Sequence, residues 1–224
     1  MHKSDKRLFI NALAFPFLFI VTMWVVKLIE IQFDLQNIIR EFGVSPREFS
    51  GIKGILFAPF IHKDLLHLSN NSLPILILGW FLFFSYKKIA NEIFLWLFLV
   101  SGFWLWVIGR PSLHIGASGV IYSLASFLFV SGIIRKNPRL SAISLIVVFL
   151  YGSMIWGVFP TKPTVSWEGH LSGMVSGIIV AIFFKNDGPS RKKYQWEIDE
   201  EHENIIANQK PETTITYTIK KEDK

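Results

Sequence analysis

Between Leu65 and Phe184 the chain carries only nine charged residues: Lys87, Lys88, Glu92, Arg110, Arg135, Lys136, Arg139, Lys162 and Glu168. The last forty positions, 185–224, hold 17 of the 40 charges in the whole chain. A soluble domain needs charge spread over its surface, and this body has too little to cover one. A hydrocarbon core about 30 Å thick takes roughly 20 apolar residues per helix, and the charge-poor stretch divides into runs of that length. With 51% apolar residues and a mean hydropathy of +0.40, the chain reads as a polytopic membrane protein.

Six spans are expected, at about 8–29, 65–85, 91–109, 116–134, 139–158 and 168–184. No secretory signal is expected, because the run from Leu8 to Val26 is long enough to span and no small-residue cleavage site follows it. Lys27 and Glu30, one turn apart near the far end of span one, are placed to pair. The net charge of +6 reflects topology rather than nucleic acid, because the basic residues sit in short connections. Twelve of them (Lys3, Lys6, Arg7, Lys87, Lys88, Arg135, Lys136, Arg139, Lys185, Arg191, Lys192 and Lys193) fall on one side. The other side has six: Arg40, Arg47, Lys53, Lys63, Arg110 and Lys162. The positive-inside rule then puts both termini in the cytoplasm.

Two regions lie outside the spans. The loop at about 30–64 holds Phe42, Phe49, Ile55, Leu56, Phe57 and Phe60, which a hydrophilic tether would not need. It is expected to fold and rest on the outer membrane surface. The tail 185–224 is polar and expected to be largely disordered in the cytoplasm. Its 214–219 run, Thr-Ile-Thr-Tyr-Thr-Ile, alternates like a strand that would be marginal alone. The expected architecture is therefore an all-α bundle over 1–184 followed by that tail.

Polar groups inside spans are expensive and point to function. Spans two, four and six each begin with such groups at their outer ends: His67 and Asn71, Ser118, and His170. A serine facing a histidine is a nucleophile with its base. The imidazole takes the hydroxyl proton during attack on a carbonyl and returns a proton to the leaving amine. His67 and Asn71, at i and i+4, share one helical face and offer N–H donors to an oxyanion. The backbone N–H of Ser118 at a helix start is a third donor. No carboxylate accompanies His170 within the spans except Glu168, expected at the water boundary, so a dyad is favoured over a triad.

Each residue also has a plainer role. Gly and Ser recur at membrane helix contacts, a single histidine can be packed and hydrogen-bonded, and Asn71 can join helices. His2 and His202 lie in polar ends, and His114 belongs to loop structure or to the rim of a site. What favours chemistry is that four groups share one depth. There is no His-Glu-x-x-His for zinc and no Asp inside any span. The absence of Cys removes thiolate nucleophiles, disulfides and cysteine metal sites, so neither cofactor nor metal is expected. The competing class is a non-catalytic membrane binder or transporter that uses the same polar cluster.

Over about residues 43–184 the chain resembles the rhomboid family of intramembrane serine proteases. The resemblance rests on Gly116-Ala-Ser118-Gly119, on His62-x4-His67-x3-Asn71 and on Glu168-Gly-His170-x2-Gly173. It implies serine endopeptidase activity on transmembrane protein substrates, with Ser118 as nucleophile and His170 as base. His67, Asn71 and the Ser118 amide would form the oxyanion hole. Tyr122 would stack on His170, and His62 and Gly116 would support the site. The family implies a water-filled cavity open to the outside and capped by the loop 159–167. A bacterial inner membrane is the expected location. Many relatives carry a Trp-Arg pair in the first loop, where this chain has Pro46-Arg47-Glu48. After Gly119 the chain has Ser123, Ala125 and Ser126 where many members place further glycines. Gly119, Gly173 and Gly177 are small residues suited to close helix packing.

Overall fold

The computed structural model describes residues 3–189, 193–209 and 218. They fall into two units, Met1–Ser190 and Arg191–Lys224. Among the described residues there are helices and no strands, apart from one antiparallel bridge between Val44 and His114.

The first unit is a helical bundle. Its long helices are α1 (Lys3–Gln32), α4 (Leu65–Tyr86), α5 (Ala90–Ile108), α6 (Ser118–Ile134), α7 (Pro138–Tyr151) and α8 (Trp167–Phe183). Two short helices, α2 (Gln36–Arg40) and α3 (Gly54–Phe57), fold the first loop together with tight turns at Phe49–Lys53 and Ala58–Phe60. Three stretches are long and apolar enough to cross a membrane: Arg7–Gln32, Leu65–Ile108 and Pro138–Val158. The second of these is α4 and α5 joined through the turn Lys87–Ile89. The helices α6 and α8 are apolar but shorter, with 17 residues each.

Burial explains α6. Val120, Ile121, Leu124, Phe127 and Leu128 recur at i, i+1, i+4, i+7 and i+8 as one buried apolar face, and Tyr122 and Ser123 are buried on the other sides, so the helix is enclosed by its neighbours. No pair of elements packs more extensively than α6 and α8. At the end of the bundle away from Ser118, Tyr86 Oη meets Ser131 Oγ at 2.6 Å, and Arg135 donates to Ser131 Oγ and to the Phe184 carbonyl. These contacts join α4, α6 and the end of α8.

Asp64 caps α4 by accepting from the His67 N–H at 2.7 Å, and Asn137 caps α7. Lys27 does pair with Glu30, at 2.9 Å, and both are buried. The same ammonium donates to the carbonyls of His62 and Lys63, at 2.9 and 3.2 Å, so the end of α1 holds the chain just before α4.

Three expectations change. The fifth apolar run keeps its expected extent, at Pro138–Val158, but changes its winding: α7 ends at Tyr151 and Gly152–Val158 winds as a 3₁₀ turn. The backbone leaves the α-helical region at Tyr151 (φ −126°, ψ 3°), and the carbonyls of Met154 and Gly157 serve side chains of neighbouring helices. Glu168 is not at a water boundary but buried, 2% exposed, with Arg110 3.5 Å away. In the second unit, where disorder is expected, the structure describes α9 (Gln195–Gln209). Its glutamates and glutamines are good helix formers, and a local pair supports it: Gln195 donates to Asp199 at 2.9 Å. The alternating 214–219 run lies outside the described residues except for Thr218.

Candidate active site

Three helices start close to one another, and each delivers a polar side chain from its first turns: α4 with His67 and Asn71, α6 with Ser118, α8 with His170. His170 Nε2 lies 3.0 Å from Ser118 Oγ. The other ring nitrogen, Nδ1, lies 2.9 Å from the Gly157 carbonyl oxygen. A carbonyl only accepts, so Nδ1 carries the proton and Nε2 is left as an acceptor for the serine hydroxyl. That is the tautomer a general base needs. The orienting partner is a peptide carbonyl and not a carboxylate.

Tyr122 stacks on the His170 ring, with centroids 4.3 Å apart and planes within 9°. Its hydroxyl donates to the Met154 carbonyl at 2.6 Å, which fixes the ring on the 3₁₀ turn. A side chain on Gly157 would overlap that hydroxyl, so glycine is required there for the turn to come this close.

Gly116 lies beneath His67. It has φ +106°, which L side chains rarely adopt, and a Cβ would stand 2.7 Å from the His67 ring. Its N–H donates to the Ala58 carbonyl at 2.9 Å, tying the serine loop to the first loop. Ser118 is the first residue of α6, where amides have no partner within their own helix. Asn71 is buried and donates one amide hydrogen to the His67 carbonyl at 2.9 Å, leaving the other for a ligand. His62 is buried with its ring 5.0 Å from that of His67. Burial pulls its pKa down to about 3, so it stays neutral.

Ser118, His170, His67, Asn71 and Tyr122 all line one open cavity of about 880 Å³. Among the described residues, no three His, Asp or Glu side chains come together to hold a metal. Pro163, Thr164 and Val165 form one wall of the cavity. They are held by Arg110, which donates to the Pro163 and Val165 carbonyls at 2.8 and 3.0 Å. The sequence reading did not assign Arg110 this role. The first loop is anchored without a Trp-Arg pair inside it: Arg47 donates to the Val107 and Gly109 carbonyls at the end of α5, and Trp106 of that helix donates back to the Glu48 carbonyl at 2.9 Å.

Below the dyad, α6 and α8 meet through their small residues. A Cβ on Gly173 would overlap the Gly119 carbonyl, and one on Gly177 would overlap Ser126 Oγ and the Ser123 carbonyl. Gly119 faces the Gly169 carbonyl across the same seam.

Residues 50–186 match the family model described as Rhomboid domain. The chain is 34% identical over 163 residues to a protein of Mycobacterium bovis and to one of Mycobacterium tuberculosis, both named as uncharacterized. A protein of Mycobacterium leprae, named likewise, is 35% identical over 150 residues. The match covers 67% of this chain and 65% of the first two relatives, and 62% and 58% for the third.

Proposed function

Because the chain belongs to the rhomboid family, we propose that it is an intramembrane serine endopeptidase that cleaves transmembrane protein substrates with Ser118 and His170. The observation that carries this reading is the 3.0 Å approach of His170 Nε2 to Ser118 Oγ, with Nδ1 already committed to the Gly157 carbonyl. In the proposed reaction Ser118 Oγ attacks the scissile carbonyl while His170 Nε2 takes its proton. The oxyanion is met by the Ser118 N–H, the free Asn71 amide hydrogen and His67. His170 then protonates the leaving amine, and water from the open cavity hydrolyses the acyl-enzyme with His170 again as base.

The body is read as six spans with both termini cytoplasmic, in a bacterial inner membrane. The polar cluster then lies near the outer surface, which is where deacylating water can enter. The first loop rests on that surface, and residues 159–167 cap the cavity.

Labelling with a serine-directed fluorophosphonate tests the reading. Wild-type protein should be modified at Ser118 and the Ser118→Ala protein should not. A folded wild-type protein that neither reacts nor cleaves would leave the membrane binder as the better account. Asn71→Ala is expected to lower kcat with KM little changed, by about 10²–10³-fold if its amide is a principal donor. Unchanged kinetics would reduce Asn71 to a helix contact. A chain ended after Lys193 should keep wild-type turnover, measured on the same substrate in proteoliposomes. An inserted but inactive truncation would make the tail part of the machinery.

A further inference from the structure

Ser118 and His170 sit on different helices, and a second link joins those helices beyond the glycine seam. His114 is four residues before Ser118, and Ser166 is four residues before His170. His114 is buried, 3% exposed, and its backbone exchanges two hydrogen bonds of 2.9 Å with Val44. Its Nε2 lies 3.1 Å from the Arg110 carbonyl and 3.2 Å from Ser112 Oγ, and its Nδ1 lies 2.7 Å from Ser166 Oγ. The carbonyl can only accept, so Nε2 carries the proton and Nδ1 accepts from the Ser166 hydroxyl. Burial holds this imidazole below the usual histidine range, which keeps Nδ1 an acceptor.

Ser166 is itself the cap of α8. Its hydroxyl oxygen accepts from the Gly169 N–H at 3.2 Å, and its carbonyl accepts from the His170 N–H at 3.2 Å. The loop that delivers Ser118 therefore grips the turn that delivers His170 through a part-buried side-chain contact, beside the bonds that Arg110 makes to Pro163 and Val165.

We propose that His114 is a positioning residue: through Ser166 it fixes the first turn of α8 against the serine loop and so holds His170 within hydrogen-bonding distance of Ser118. The proposal rests on the protease reading above.

Amide side chains separate the two ring contacts. Asparagine places its oxygen about where Nδ1 stands and keeps the Ser166 contact, whereas glutamine reaches the Arg110 carbonyl and gives up Ser166. His114→Asn, His114→Gln and His114→Phe are purified alongside wild type, and kcat, KM and Tm are measured on one transmembrane substrate. The expected result is a kcat within about threefold of wild type for Asn. For Gln and Phe, a loss of about 10- to 100-fold at unchanged KM is expected. Ser166→Ala should show a similar loss, and His114→Phe combined with it should fall no further, because the two act through one contact. Should Phe not fold, the Asn and Gln proteins at matched Tm decide the matter. Equal kcat in those two, or wild-type kcat in the Phe protein, overturns the positioning role while leaving the protease reading intact. Absence of cleavage by wild type, with no difference from Ser118→Ala, overturns that reading and this proposal together.

Discussion

Alanine at Ser118 is expected to abolish cleavage of a transmembrane substrate, and alanine at His170 to lower it by about 10²–10⁴-fold. The first loss is total because no acyl-enzyme can form without Oγ. The second is partial because the oxyanion donors and the bound geometry survive it. The double variant should be no slower than Ser118→Ala, since residues that act as one unit do not lose activity additively. Folding should persist. Ser118 is half-buried at the first residue of α6, and its side-chain contact is the one with His170, a single hydrogen bond of about 1 kcal/mol. Initial rates and a melting curve on each purified variant check all of this. Near-normal turnover by Ser118→Ala would end the assignment.

Leucine at Gly173 or Gly177 should be almost as damaging, although neither residue lines the cavity. A single methyl already overlaps backbone or hydroxyl atoms of α6 at both positions, so the two helices must separate to admit a larger side chain. In lipid, close packing and not the hydrophobic effect holds helices together. Overpacking costs about 1–3 kcal/mol of stability, while a displacement near 1 Å can cost about 10²-fold in rate. Activity should therefore fall further than stability. Ile179 on the same helix is 44% exposed, and Ile179→Leu should leave both unchanged. Full activity in a folded Gly177→Leu protein would remove the seam from the mechanism.

Features that depend on residue type are legible in the sequence alone. The scarcity of charge between Leu65 and Phe184 marks the helices, and the start of three apolar runs marks Ser118, His170, His67 and Asn71 as neighbours. Lys27 and Glu30 were legible as a pair from spacing alone. What could not be read depends on backbone. Every residue has a carbonyl, so nothing in Gly157 or Met154 signals that it will receive His170 or Tyr122. The break after Tyr151 is hidden for the same reason, because hydropathy continues through it. Arg110 with Glu168, and His114 with Ser166, are separated by more than fifty residues and meet only after folding. For Glu168 alone there was an early signal, cost: a carboxylate beside an apolar run needs a partner.

The Gly157 carbonyl gives the site an unusual mutational profile. An aspartate in that place could be erased by one codon change, but no substitution deletes a peptide oxygen. A scan of ionisable side chains would therefore return the serine and the histidine and find no third member. The vulnerability moves to chain length. One residue removed between 152 and 157 would turn the 3₁₀ segment and carry the oxygen away from Nδ1, leaving His170 free to take the wrong tautomer. Variants that silence the protein while keeping every side chain of the dyad should thus be found among deletions in this segment.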